Sequence, residues 1–544
     1  MQLAHALLQA LKDYGAGEIF GIPGDFALPL FRQIERLKIL PLYTLSHEPA
    51  VGFAADAASR YRSTIGVACV TYGAGALNMI NPVATAYAEK SPLVVISGAP
   101  GAAERTMGLD LHHQVKHFDS QMLIMREVTC AQCVLDDPAT AASEIARVLT
   151  AARHLSRPVY IEFPRDMVEA DVSEVPSFEP PAKNVAAATE AAGQTLKMLE
   201  TRTRPAMLLG VEVRRYGLHK KVAKLARKLG IPVLTTFMGR GVLAETGAPT
   251  AGTYLGLAGD AATRRLVERA DGLLMLGVIL CDTNFGVSKR QVDMRTSIHA
   301  LDGAVRFEHH TYSGITLEAF VDALLARAEK LGNAKPVTES YPRGLKPVDR
   351  QVLPQDVATA VNDFFAEHGV MPIASDMGDC LFTAMDIEHT ALLAPGYYAT
   401  MGTGIPFGLG LQAASGKRPL VLVGDGAFQM TGWELGNCAR LGFNPIVLLF
   451  NNTAWGMLKA FQKDTGYNDL DDWHFAEHAE AMGGKGVRVS TPAQLAEALQ
   501  RAHGDDSCFQ LIEVMLPRDA LSQTLSRFTD AIASKSALAA EADA

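Results

Sequence analysis

Two polar stretches stand at the ends of apolar runs. Gly424-Asp425-Gly426-Ala427 follows Pro-Leu-Val-Leu-Val, and Asn451-Asn452 follows Pro-Ile-Val-Leu-Leu-Phe. A carboxylate and an amide oxygen on glycine-softened turns suit a hard octahedral cation such as Mg2+. That ion takes few protein oxygens and fills its remaining positions with phosphate and water. The glycines let backbone N–H groups approach phosphate oxygens closely. Either motif alone is ordinary turn chemistry. Their spacing changes the reading: 27 positions separate Asp425 from Asn452, and MTGWELGNCARLG, closed by Gly442, reads as a crossover helix between them. A right-handed strand-helix-strand unit returns its second strand parallel to the first, so the two motifs meet at neighbouring carboxyl ends.

The elements that must position these groups recur along the chain. Short Val/Ile/Leu runs alternate with helical patterns in three blocks, which predicts three open, mostly parallel, doubly wound α/β domains covered on both faces. Their expected spans are 1–170, 190–335 and 350–530, and 544 residues are too many for one hydrophobic core. Two seams divide them: the acidic, proline-rich EADVSEVPSFEPPAKNVAA, and KPVTESYPRGLKPVDRQVLP, rich in proline and charge. The tail SALAAEADA is expected to fray.

Apolar residues make up 48% and charged residues 20%, and the net charge is −9. Nothing in that balance points to nucleic acid or an anionic membrane as a partner. The amino terminus has no basic region before its apolar residues; Leu3, Leu7, Leu8 and Leu11 space as an amphipathic helix, and no later run approaches a bilayer span. A cytoplasmic protein is expected. Cys130 and Cys133 form a C-x-x-C, but no second ligand pair follows at zinc-site spacing, so the seven cysteines read as free thiols.

The first block offers further candidates. Glu48, in SHEPAVGFAADAA, opens a predicted helix in apolar company, a place where any acid is favoured. Asp25 sits on the turn of GIPGDF, and His112 and His113 are adjacent in LHHQ, a pattern that exposed loops also produce. Gly73-Ala74-Gly75 could begin a dinucleotide fingerprint, but Asn78 occupies the third glycine position, so the stretch reads as a tight strand-to-helix turn.

G-D-G followed after about thirty residues by N-N resembles the thiamin diphosphate motif of pyruvate-decarboxylase-like enzymes. The resemblance covers nearly the whole chain, whose blocks look like that family's pyrimidine-binding, central and diphosphate-binding domains. It implies thiamin diphosphate as cofactor and Mg2+ held by Asp425, Asn452 and a carbonyl near Ala454. It implies that Glu48 bonds N1′ of the aminopyrimidine, and that Asp25, His112 and His113 relay protons. Met401, in YYATMGTG, matches the apolar residue that wedges the cofactor into its bent shape, though a core methionine looks the same. Gly378 and Asp379 match a loop that touches the diphosphate, as do Gly424, Gly426 and Ala427; Gly73 would line the cofactor side of the first domain. The resemblance also implies a homo-oligomer with active sites between subunits, a dimer at least and a tetramer by expectation.

The sequence departs from that family six positions beyond Asn452. A typical pyruvate decarboxylase carries an acid there; this chain carries Leu458, next to Met457. The apolar pair fits the phenylpyruvate and indolepyruvate branch, because an aryl side chain offers a large area to bury. The expected reaction is non-oxidative decarboxylation of an aromatic 2-oxo acid to the aryl acetaldehyde and carbon dioxide. Asp282, after a buried-looking strand of the middle block, is the candidate replacement acid. The rival readings are a carboligase of the acetohydroxyacid synthase type and a non-catalytic cofactor-binding module.

Overall fold

The apolar runs form three sheets in the computed structural model, which describes residues 1–286, 291–331 and 339–542. The first contains β1 (Ile19–Gly21), β2 (Leu42–Thr44), β3 (Gly66–Val70), β4 (Leu93–Ala99), β5 (Ala131–Val134) and β6 (Val159–Pro164). Its order is β2-β1-β3-β4-β6-β5, and every pairing is parallel. The second contains β7 (Pro205–Leu209), β8 (Val233–Thr236), β9 (Thr253–Tyr254), β10 (Gly272–Leu276), β11 (Ser297–Leu301), β12 (Gly303–Arg306) and β13 (Thr311–Ile315). It is parallel except where β12 and β13 add an antiparallel edge. The third contains β14 (Ile373–Ser375), β15 (Leu392–Leu393), β16 (Leu420–Gly424), β17 (Ile446–Asn451), β18 (Lys485–Val489) and β19 (Gln510–Met515), all parallel, in the order β15-β14-β16-β17-β19-β18.

Strands β3, β4, β6, β10 and most of β16 and β17 are buried along their length, as strands covered by helices on both faces must be. The α/β class and mostly parallel sheets agree with the sequence reading. The amino-terminal helix Leu3–Asp13 buries Leu3, Leu7, Leu8 and Leu11, the stripe its periodicity predicts. Among the described residues, no helix is long and apolar enough to cross a membrane.

The chain forms two compact units: residues 1–181 with 400–419 and 429–445, and residues 182–399 with 420–428 and 446–544. Residues 172–184 carry no helix or strand, nor do 339–353; positions 335–338 of the second predicted linker lie outside the described residues. The carboxyl-terminal helix runs Gln523–Ala542, so the segment expected to fray is assigned as helix as far as Ala542. One local expectation fails. The crossover begins at Asp425 itself, as a helix Asp425–Thr431 continued by 3-10 and α turns to Leu441. There is no glycine-softened loop between β16 and the helix.

Two sheets share a topological feature that prepares a site. The chain leaves β1 towards β2 on one side and returns to β3 on the other; it does the same from β14 to β15 and back to β16. Ligands bind in open α/β sheets outside the carboxyl ends at such a reversal. In the first sheet the flanking segments carry Asp25 and Gly73; in the third they carry Gly378 and Asp425.

Candidate active site

In the second unit, β16 and β17 are parallel neighbours with Gly424 opposite Phe450, so Asp425 and the Asn451-Asn452 pair leave the sheet side by side. The Ala454 N–H lies 3.3 Å from Asp425 Oδ2 and 3.1 Å from Asn452 Oδ1, so two acceptor oxygens converge on one point. Asp425 is only 3% exposed. Its burial pushes the carboxyl up to about 7, against the pull of backbone N–H groups at Gly426, Ala454, Thr453 and Asn452. A buried carboxylate beside an amide oxygen fits a divalent cation, whose charge offsets the cost of burying the anion. The Ala454 carbonyl accepts from Gly456 N–H at 2.8 Å and keeps a second lone pair.

Two residues that sequence reasoning passed over shape this loop. A Cβ on Gly456 would lie 2.3 Å from Asn452 Nδ2, so only glycine leaves room for that amide. The Trp455 ring packs over Gly426, whose missing side chain admits it.

Asn451 and Asn452 differ in role. Asn451 is fully buried and donates to Glu513 Oε1 at 2.6 Å, while its oxygen accepts from Thr453 N–H at 3.2 Å. Glu513 is itself buried on β19 and paired with Arg488 at 2.9 Å. Asn451 therefore ties the loop that carries Asn452 to the next strand. Asn451→Ala should cost about 1–3 kcal/mol, the usual loss when a buried acceptor is left short of its donor. The readout is the urea midpoint of the metal-free protein; an unchanged midpoint would remove the anchoring role.

Gly378 has only Cys380 Sγ near the position a Cβ would take, so its backbone is open. Asp379 turns inward: Oδ2 accepts from Ser522 N–H at 2.9 Å, Oδ1 is buried without a hydrogen-bond partner, and burial pushes the carboxyl up to about 6. Met457 packs against the carboxyl-terminal core, whereas Leu458, on the helix Gly456–Phe461, is 55% exposed. Asp282 is exposed and caps the turn Thr283–Phe285, accepting from Thr283 N–H at 2.8 Å.

In the first unit, Glu48 opens the helix Glu48–Arg62. Asn78 Nδ2 donates to Glu48 Oε2 at 3.0 Å. The residue that breaks the glycine fingerprint thus holds the carboxylate, a role no spacing rule reveals. Asp25 sits between the two histidines: His112 Nε2 is 2.5 Å from Oδ2 and His113 Nε2 is 3.7 Å from Oδ1. Burial works to raise the Asp25 carboxyl, but the His112 hydrogen bond and charge, the Phe26 N–H and His113 together hold it below its usual range. The His112 ring stacks on Phe26 with centroids 4.9 Å apart. The histidines are brought to Asp25 by a close backbone approach: Gly73 has φ +64°, and a Cβ there would lie 2.0 Å from the His113 carbonyl oxygen. Gly73 is pinned in turn by its N–H to Gln121 Oε1 at 2.6 Å, within a buried network with Ser97, Tyr160 and Glu162. Met401 is half-buried, directly before the helix Gly404–Ser415, and its neighbour Thr400 accepts from Asn81 Nδ2 at 2.9 Å.

Among the described residues, Asp25, His112 and His113 are the one cluster of three such ligand types within metal-binding distance. Cys130 and Cys133 have no part in one: burial pushes their thiols up to about 11 and about 12, so both stay protonated at neutral pH.

The chain matches three family descriptions in succession: the N-terminal TPP-binding domain of thiamine pyrophosphate enzymes over residues 1–123, their central domain over 193–318, and their C-terminal TPP-binding domain over 376–514. An indole-3-pyruvate decarboxylase of Azospirillum brasilense is 58% identical over 534 residues, covering 97% of this chain and 98% of that one. Alpha-keto-acid decarboxylases of Mycolicibacterium paratuberculosis and Mycobacterium tuberculosis are 29% and 28% identical over 94% and 97% of this chain, and 93% and 96% of their own. The chain belongs to the thiamine pyrophosphate enzymes. Within that family it is a thiamin-diphosphate-dependent 2-oxo acid decarboxylase.

Proposed function

We propose that this enzyme decarboxylates aryl 2-oxo acids, indole-3-pyruvate or phenylpyruvate, to the aryl acetaldehyde and carbon dioxide. The observation that carries the aromatic reading is Leu458. It presents an apolar side chain from the helix that starts on the metal loop, where a typical pyruvate decarboxylase carries an acid, and Phe461 on the same helix is 40% exposed. An indole or phenyl ring buries enough area on such a surface to prefer it over pyruvate's methyl. The relative from Azospirillum brasilense, named for indole-3-pyruvate, supports the same reading.

Thiamin diphosphate supplies an electron sink for the pair left by departing carbon dioxide. The chain's own residues do the rest in this proposal. Asp425, Asn452 and the Ala454 carbonyl would hold Mg2+ and with it the diphosphate, which the open backbone at Gly378 and Gly424 would let approach closely, whereas Gly426 is covered by the Trp455 ring. Glu48, oriented by Asn78, would bond the pyrimidine, and Met401 would pack against the cofactor. Asp25 holds His112 and His113 for proton transfer.

Asp282 replaces the acid absent at Leu458. Asp282→Asn should then lower turnover of aryl substrates by about 10²-fold or more, the usual share of a positioned proton donor; unchanged turnover would end that assignment. We read the working unit as a homo-oligomer, a tetramer by expectation, placed in the cytoplasm, where seven free cysteines are at home. An active monomer in sedimentation would contradict the oligomer.

The deciding experiment is a series of 2-oxo acids from pyruvate to indole-3-pyruvate, compared by kcat/KM with saturating cofactor and Mg2+. Aryl substrates should lead by about 10-fold or more, the discrimination expected from extra buried apolar area. A lead for pyruvate would overturn the reading of Leu458 while leaving the decarboxylase class intact.

A further inference from the structure

The middle sheet has a cavity of about 360 Å³ at the edge where its strands begin, bounded by the residues that enter β7 and β8 and by the end of the helix Ala261–Glu268. Four arginines line it: Arg202, Arg204, Arg265 and Arg269. None of the four makes an ion pair among the described residues. Arg204, Arg265 and Arg269 are solvent-exposed, and like charges gathered around one hollow repel less when an anion joins them.

The bland explanation covers part of this arrangement. Arg265 and Arg269 lie at a helix carboxyl terminus, where cations are favoured, and Arg204 Nε donates to the Arg269 carbonyl at 2.8 Å. It does not cover Arg202. That Nε is buried and has no hydrogen-bond partner. Its stem is held in place across Gly272, where a Cβ would come within 2.7 Å of Arg202 Cγ. With Nε shut away from solvent, the donors an acceptor can reach are the outer N–H groups of this guanidinium at the cavity wall.

The nearest carboxylate is already engaged. Asp271 accepts from the N–H groups of Thr203 and Arg204 at 3.0 and 2.7 Å and from the Thr203 hydroxyl at 2.6 Å, which holds it below its usual range despite the opposing effect of burial. Asp271 stays ionised and the Arg204 charge helps to hold it so, which sets one carboxylate against four guanidinium groups and leaves an excess of positive charge. Its floor is apolar: Ile231, Pro232 and Leu266. This edge is opposite to the one where open α/β sheets usually hold ligands. There the segments that leave β7 and β10 approach closely, since a Cβ on Gly210 would lie 2.1 Å from the Gly277 carbonyl oxygen.

We propose that the cavity binds a small phosphorylated molecule, its phosphate in the arginine forks and its apolar body on the Pro232 and Leu266 floor. Arginine's planar fork matches phosphate oxygens two at a time, and two such pairs suit a phosphate dianion. This is a second ligand site on the chain, separate from Asp425 and Asn452.

The test uses the holoenzyme with thiamin diphosphate and Mg2+ in excess, so that the cofactor site is filled. AMP, inorganic pyrophosphate, citrate and adenosine are titrated by calorimetry at low salt. AMP and pyrophosphate should bind once per chain, adenosine should not bind, and raising the salt should weaken the binding. Arg202→Ala and the exposed Arg265→Glu should each weaken AMP at least 10-fold. Arg265→Glu tests the site even if Arg202→Ala does not fold. Absence of binding by both phosphates, equal binding by Arg265→Glu, or binding of citrate alone would overturn the proposal.

Discussion

Asp425→Asn is expected to weaken Mg2+-dependent binding of thiamin diphosphate by at least about 100-fold. Loss of a group one shell outside a metal already costs 10–100-fold, and this change removes the charge of the proposed ligand itself. Titrating metal-free protein with cofactor at fixed Mg2+ reads the effect. A stability measurement separates this cause from unfolding. In the metal-free protein burial raises the Asp425 carboxyl to about 7. Between the ordinary aspartate value of about 3.9 and that raised value, the folded chain holds a proton that the unfolded chain has lost. Stability from this group is therefore greatest below about pH 4 and declines as pH rises towards 7. The asparagine variant should lack that decline, and Mg2+ should abolish it in the parent protein. A variant that keeps cofactor affinity, or that loses stability at every pH, would show that Asp425 is a structural residue.

Glu48→Gln should lower kcat by about 10²–10⁴-fold, the range for loss of a positioned acid or base, while cofactor affinity stays within about 10-fold. The amide keeps the size of the side chain and can still meet Asn78, so the helix that begins at Glu48 should be undisturbed. What the variant cannot do is share a proton with the aminopyrimidine. Exchange of the cofactor's C2 proton into deuterated water should slow in parallel with kcat. Equal loss of binding and turnover, with normal exchange, would mean that Glu48 only holds the cofactor.

The middle and last strands were legible because continuous apolar runs such as Leu420–Val423 and Ile446–Phe450 have few alternatives to a doubly covered parallel sheet. The meeting of Asp425 with the asparagine pair was legible for the same reason: parallel neighbours joined by a crossover must align their carboxyl ends. The apolar pair Met457-Leu458 was only half legible. Both residues are hydrophobic, but one faces the core and the other faces outward, a distinction set by the rotation of a six-residue helix.

By itself, the sequence determined the α/β class, the pairing of Asp425 with the asparagine loop and the family, because these depend on local periodicity and on motifs whose spacing follows the strand-helix-strand unit. Tertiary structure alone decided the rest. Asn78 reaches Glu48 across 30 positions, Asn451 reaches Glu513 across 62, and His113 reaches Gly73 only because that glycine has no side chain. These contacts join residues on different helices, strands and loops, and no local propensity encodes which distant group will arrive. Arg202 is the sharpest case: four scattered arginines carry no motif, and only folding gathers them around one cavity.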